Sequence, residues 1–214
     1  MLEATSREKV LKKVRKALIH KSNIDAVDVD NESEIYTNTE ESLEITFAQK
    51  FSALNGSFIF CVDEKDFIQN LHALLKEREW TNIFCFEKKA QNALIKGQID
   101  FSKDIANIKA VDIGITLCEA LIARTGSVLL SSKQLSGRRL PLYSNVHIVM
   151  AYTSQLVYQI KDALKIIASK YGEALPSMIA NISGPSRTAD IEKTLVQGAH
   201  GPKELFVFLI DDAS

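Results

Sequence analysis

The chain has 214 residues, 46% of them hydrophobic and 25% charged, with a formal net charge of −1. That length allows one domain with a sizeable core plus an appendage, and the balanced charge excludes general nucleic-acid binding, which needs a concentrated basic face. No run approaches the ~20 consecutive apolar residues that span a bilayer.

Val10, Val14, Ala17 and Leu18 recur at helical spacing among lysines and arginines, which predicts an amphipathic helix within residues 1–20. Arg7, Lys9, Lys12, Lys13, Arg15 and Lys16 interrupt any apolar signal region, so a cytoplasmic location is expected. The helix's apolar face is short and lacks Trp and Phe, which argues against stable membrane insertion. Residues 21–40 then turn acidic, with Asp25, Asp28, Asp30, Glu32, Glu34 and Glu40 opposed only by Lys21. Such a segment buries too little surface to offset its ordering entropy, so a mobile linker is expected.

From residue 41 to 214 the pattern alternates. Helices are expected over 41–54, 64–79, 88–96, 154–170 and 188–196. Strands are expected over 57–62, 82–86, 111–115, 126–132, 146–152, 178–182 and 205–210. Strands that are apolar throughout and separated by helices indicate an α/β domain whose mostly parallel central sheet carries helices on both faces. Between 110 and 152 strands follow one another with little helix, which predicts a local antiparallel excursion.

Cys61 and Cys85 sit inside apolar runs, and Cys118 stands apart. Free cysteines in such runs behave as small hydrophobes. Three scattered thiols supply neither a disulfide framework nor a CxxC ligand pair, so no metal site and no cofactor are expected in this chain. There is also no Gly-rich dinucleotide or nucleotide fingerprint.

Open α/β sheets collect ligands outside the carboxyl ends of their strands, and three stretches have suitable composition. Thr125-Gly126-Ser127 sets a glycine between two hydroxyls, where backbone N–H groups can approach an anion; Glu119, just upstream, is a candidate acid or base. The plain alternatives are a common turn and a carboxylate favouring a helix's first turn. Ser183-Gly184-Pro185-Ser186-Arg187-Thr188-Ala189-Asp190 follows a strand and precedes an expected helix. Ser186 or Thr188 is suited to cap that helix and Asp190 to its first turn, with Arg187 offering a fork to a carboxylate or phosphate. The alternative is a well-capped helix with an exposed arginine. His200, held between Gly198 and Gly201 before an apolar strand, is a candidate general base, or simply a residue filling a turn. Ser136-Gly137-Arg138-Arg139-Leu140-Pro141 reads as a mobile basic loop, either a clamp for an anionic ligand or a partner, or a solvated turn.

Taken in order, TGSVLLSS, VHIVMA and ISGPSRTADIEKTLVQGAHGPKELFVFLI resemble the LUD family and, within it, the lactate-utilisation protein C branch. The resemblance is most specific over residues 111–210, about half the chain. It implies a fold like that of the sugar-phosphate isomerase and CoA-transferase group. It also implies a part in L-lactate utilisation, as the cluster-free component beside two iron–sulfur proteins; such a component would bind a small organic anion, help assemble the redox partners, or act purely as a structural adaptor. A stand-alone isomerase- or transferase-like enzyme, acting on a phosphorylated or CoA-linked small molecule through Glu119 or His200, is the alternative.

Overall fold

The computed structural model describes residues 41–104, 111–188, 196–198 and 201–212, all within the unit Asn38–Ser214. The helix expected over residues 1–20 and the linker over 21–40 lie outside the described residues, as do Asp190 and His200.

Five wholly parallel strands form the first sheet: β1 (Ser57–Cys61), β2 (Ile83–Cys85), β3 (Ile113–Thr116), β6 (Val146–Tyr152) and β11 (Glu204–Ile210), in the order β1-β11-β6-β3-β2. β6 and β11 are apolar on both faces apart from His147 and the leading Glu204, because both faces are covered. Side chains alternate between them as the pleat requires. Ile148, Met150, Phe206 and Phe208 point to one side, Val149, Ala151, Leu205 and Val207 to the other.

The first side packs against α2 (Glu64–Glu77) and α3 (Lys88–Lys96). Phe67 of α2 meets Phe208 of β11 edge-on, with centroids 5.3 Å apart. Asp63 caps α2 by accepting from the Asp66 N–H at 2.7 Å, satisfying one of the orphan donors of a first helical turn. The other side packs against α1 (Leu43–Ala53), through Phe47 and Phe51, and against a second sheet. That sheet joins β4 (Ala120–Ile122), β5 (Ser127–Ser131), β7 (Leu156–Val157) and β8 (Ile179–Ile182) in the order β7-β4-β5-β8. The outer face of the second sheet is closed by α5 (Ile160–Tyr171) through Ala163 and Ile167. The expected mostly parallel central sheet with helices on both faces is present, and a second sheet shares one of those faces.

The antiparallel excursion is the β4–β5 hairpin; it belongs to the second sheet, while β3 and β6 on either side of it stay parallel in the first. Two expected helices need correction. The one expected over 154–170 begins only at Ile160, because Thr153–Gln155 form a 3-10 turn and Leu156–Val157 pair with β4. The helix expected over 188–196 does not have those ends. β9 (Arg187–Thr188) pairs antiparallel with β10 (Val196–Gln197), held extended by bonds from Ser186 N–H to the Pro202 carbonyl and from Gly198 N–H to the Ser186 carbonyl. A short helix, α4 (Leu140–Tyr143), lies against Gly114, where a Cβ would come within 2.9 Å of Leu140.

Candidate functional site

The residues singled out in the sequence divide between the two edges of the first sheet. β8 runs antiparallel to β5, so its last residue delivers the loop 183–186 to the amino edge of the first sheet. There Ser186 bonds Pro202, two residues before β11 begins. The expectation that this loop lies outside the carboxyl ends is therefore overturned by the direction of β8. Glu119, by contrast, follows β3 and stands near Ser131, at the far end of β5 from Ser127. A five-residue strand separates those ends by roughly 13 Å at ~3.3 Å per residue, so Glu119 does not share a site with the glycine loops.

The amino-edge residues do meet. Ser127 Oγ lies 2.7 Å from Ser183 Oγ and 2.8 Å from Thr125 Oγ1. Gly126 and Gly184 both have positive φ and both face the end of α1. A Cβ on Gly126 would lie 2.5 Å from the Lys50 carbonyl carbon, and one on Gly184 would lie 2.5 Å from the Leu54 carbonyl oxygen. The same Leu54 carbonyl accepts from Arg187 Nη2 at 2.8 Å. Thus Gly126, Gly184 and Arg187 seat the carboxyl end of α1, and the Arg187 fork spends a donor on a helix carbonyl. Thr188 takes part in the β9–β10 pair.

Beside this seat, Gly184, Ser186 and Gly201 border a cleft of about 460 Å³ between β8 and α4. Its walls are apolar, with Leu130, Ala180 and Ile182 on the sheet side and Pro141 and Leu142 opposite. Arg138 reaches it but donates to Ser177 Oγ at 2.8 Å. The loop expected to be mobile is anchored here and again at Ser136, whose N–H and hydroxyl both donate to buried Glu87.

Glu119 is 4% exposed and bonded through both carboxylate oxygens. Its oxygens accept from Ser131 Oγ at 2.6 Å, Tyr171 OH at 2.7 Å and Lys170 Nζ at 2.8 Å. Burial alone would raise its carboxyl, but the bonds from Lys170, Ser131 and Tyr171 hold it below the usual value. It is an ionised clasp holding α5 to the second sheet.

A second cleft, of about 220 Å³, opens at the carboxyl edge among Lys89, Leu117, Tyr152, Ser154, Gln155 and Asp212. Sequence reasoning missed all six, since none lies in a glycine-rich turn. Two buried polar groups were also passed over. His147 lies inside an apolar strand, its Nε2 2.8 Å from Thr116 Oγ1 and its Nδ1 without a partner. Glu87 has one carboxylate oxygen bonded to Ser136 and the other unpaired. No helix among the described residues is long and apolar enough to cross a membrane.

A five-stranded parallel sheet backed by helices on one face and by a second sheet and its own helix on the other, with clefts at both strand edges, defines an α/β sandwich. The LUD domain model matches residues 44–210, and the chain belongs to that family. It is 39% identical over 115 residues to Lactate utilization protein C 1 of Bacillus mycoides (strain KBAB4), covering 53% of this chain and 49% of that protein. Lactate utilization protein C of Bacillus subtilis (strain 168) is 36% identical over 118 residues, 53% of this chain and 49% of that protein. That of Geobacillus thermodenitrificans is 28% identical over 177 residues, 81% and 71%. The matches span about half the length of the first two relatives. A DUF162 family protein from Deinococcus radiodurans shares the fold, with a TM-score of 0.60 at 16% identity over 78% of this chain and 96% of the other.

Proposed function

We propose that this chain is the cluster-free component of an L-lactate utilisation system, working beside iron–sulfur partner proteins and binding a small organic anion. The observation that carries this reading is the match to the LUD domain over 44–210, joined to relatives that bear the name lactate utilization protein C.

The thiols support the cluster-free part. Cys61, Cys85 and Cys118 are each buried, the first two on β1 and β2 at opposite edges of the first sheet and the third beyond β3. Burial, aided by Asp66 and by Glu87, pushes the first two up to about 12, and burial pushes Cys118 higher still. Cluster and zinc ligation need thiolates, so these side chains are poorly suited to hold iron or zinc.

The test is genetic and biochemical. A lactate-growing bacterium lacking its lactate-utilisation protein C is expected to lose growth on L-lactate, keep growth on pyruvate, and recover when given this chain. Tagged chain should retrieve iron-containing proteins from that strain while carrying no iron when purified alone. Growth on L-lactate that is not restored by well-expressed chain overturns the reading.

A further inference from the structure

We propose that the carboxyl-edge cleft is the anion site, and that it takes a short carboxylate carrying a hydroxyl on the neighbouring carbon. The choice of a hydroxy acid rests on the function proposed above; the position of the site rests on its geometry.

The cleft lies where β3 and β6 end and where the chain leaves β11, outside the carboxyl ends of a parallel sheet, the usual place for ligands in such folds. It offers one cation and one anion. Lys89 Nζ sits 3.3 Å from the centroid of the Tyr152 ring and makes no ion pair among the described residues, although its neighbours are already matched. Glu64 takes Lys96 Nζ and the Tyr152 hydroxyl, both at 3.1 Å. A cation held against an aromatic face, with no carboxylate of its own, is a ready partner for an incoming anion.

Asp212 supplies the other pole. It accepts from Thr153 Oγ1 at 2.8 Å, Ser154 N–H at 2.9 Å and Ser154 Oγ at 2.6 Å, which fixes the carboxylate at the cleft. A carboxylate is an acceptor only, so it welcomes a ligand hydroxyl and repels a second negative group. Gln155 is used up on both ends, accepting from Tyr152 N–H and donating to the Cys118 carbonyl, and serves as wall. Leu117 adds an apolar surface for a methyl or methylene. About 220 Å³ holds a ligand of a few heavy atoms with some water, at ~30 Å³ per water, and is too small for a nucleotide or a CoA ester.

The amino-edge cleft does not compete for such a ligand. Its walls are apolar and its arginine is engaged, so a small carboxylate there would be desolvated with little to replace its water.

The experiment is titration of the full chain with L-lactate, pyruvate and acetate, followed by calorimetry and by amide chemical shifts. Shifts with L-lactate are expected to centre on Lys89, Leu117, Tyr152, Ser154 and Asp212. Pyruvate, whose keto group cannot donate to Asp212, should bind at least about tenfold more weakly. Lys89→Met, at an exposed helical position, should weaken L-lactate binding by about tenfold or more. Arg187→Ala should leave binding unchanged. No binding of L-lactate up to about 10 mM, well above ordinary Michaelis constants, overturns the proposal, as do shifts centred on Gly184, Ser186 and Gly201. Equal affinity for L-lactate and pyruvate overturns the role of Asp212. Because the unaltered chain is mapped, an unfolded variant does not spoil the test. Restored growth on L-lactate without binding here would sink this site and leave the proposed function standing; binding here without restored growth would do the reverse.

Discussion

His147 and Thr116, on adjacent strands of the first sheet and 31 positions apart, share a fully buried bond of 2.8 Å between Nε2 and Oγ1. Because burial drives the imidazole down to about 3 from an ordinary 6.5, His147 is neutral in the folded protein at any moderate pH. Between those values the unfolded chain binds the proton and the folded one does not. Stability therefore rises with pH across the window and is lost as pH falls from 6.5 toward 3, by up to about 1.4 kcal/mol per pH unit. His147→Gln keeps a partner for Thr116 and removes the titration. Urea midpoints measured from pH 6.5 down to about 5 should fall for the natural chain and stay flatter for the variant. Parallel profiles would show that the imidazole does not resist protonation.

Glu87 titrates in the opposite sense. Burial raises its carboxyl above the ordinary 4.5 despite the Ser136 donors. Its favourable protonated form is fully present below 4.5 and lost as pH rises through the folded value. Glu87→Gln, which still accepts from Ser136 through Oε1, should be more stable than the natural chain at pH 8 by about 1–2 kcal/mol. The advantage should vanish in acid. Thermal melts at both pH values decide it, and a less stable variant at pH 8 would point to an ionic partner for the carboxylate.

For Glu119 the sign reverses again. Its lowered carboxyl contributes stability above the ordinary 4.5 that is lost as pH falls through the folded value. Glu119→Gln weakens the charge-assisted bonds to Lys170, Ser131 and Tyr171 and should cost about 2–3 kcal/mol at pH 7, discounted because Lys170 is half exposed. The loss should shrink in acid. Residual function should track the folded fraction, whereas a catalytic carboxylate would abolish activity in folded protein.

Gly126→Ala and Arg187→Ala separate packing from trimming. The first forces a Cβ into the Lys50–Phe51 backbone at a positive φ and should cost at least about 2 kcal/mol. The second removes one exposed bond to Leu54, worth about 0.5–1.5 kcal/mol, or a few degrees of Tm. A larger loss in the arginine variant than in the glycine variant would contradict the seat built around α1.

Much of the fold was legible because its signals are local. β6 and β11 read as strands from the largely apolar run VHIVMAY and the six-residue apolar run LFVFLI, and α1 to α3 from the alternation of helical and strand stretches. What misled was glycine. Gly126 and Gly184 announce that something approaches the backbone closely, and a helix end leaves the same mark in the sequence as a phosphate. Arg187 looked free because its partner, Leu54, lies 133 positions away. Lys89, Tyr152 and Asp212 carry no motif at all; only the sheet order brings residues from α3, β6 and the chain after β11 to one edge.

That sheet order also shapes how the domain is made. β11 lies between β1 and β6, pairing Ser57 with Phe206 and Val146 with Glu204. The first strand formed therefore has no neighbour until residues 204–210 arrive, and β6 keeps an open apolar edge until the same moment. Closure across so many intervening residues is entropically slow. Folding intermediates of this chain should thus display two unpaired strand edges, a template for self-association that the finished sheet conceals.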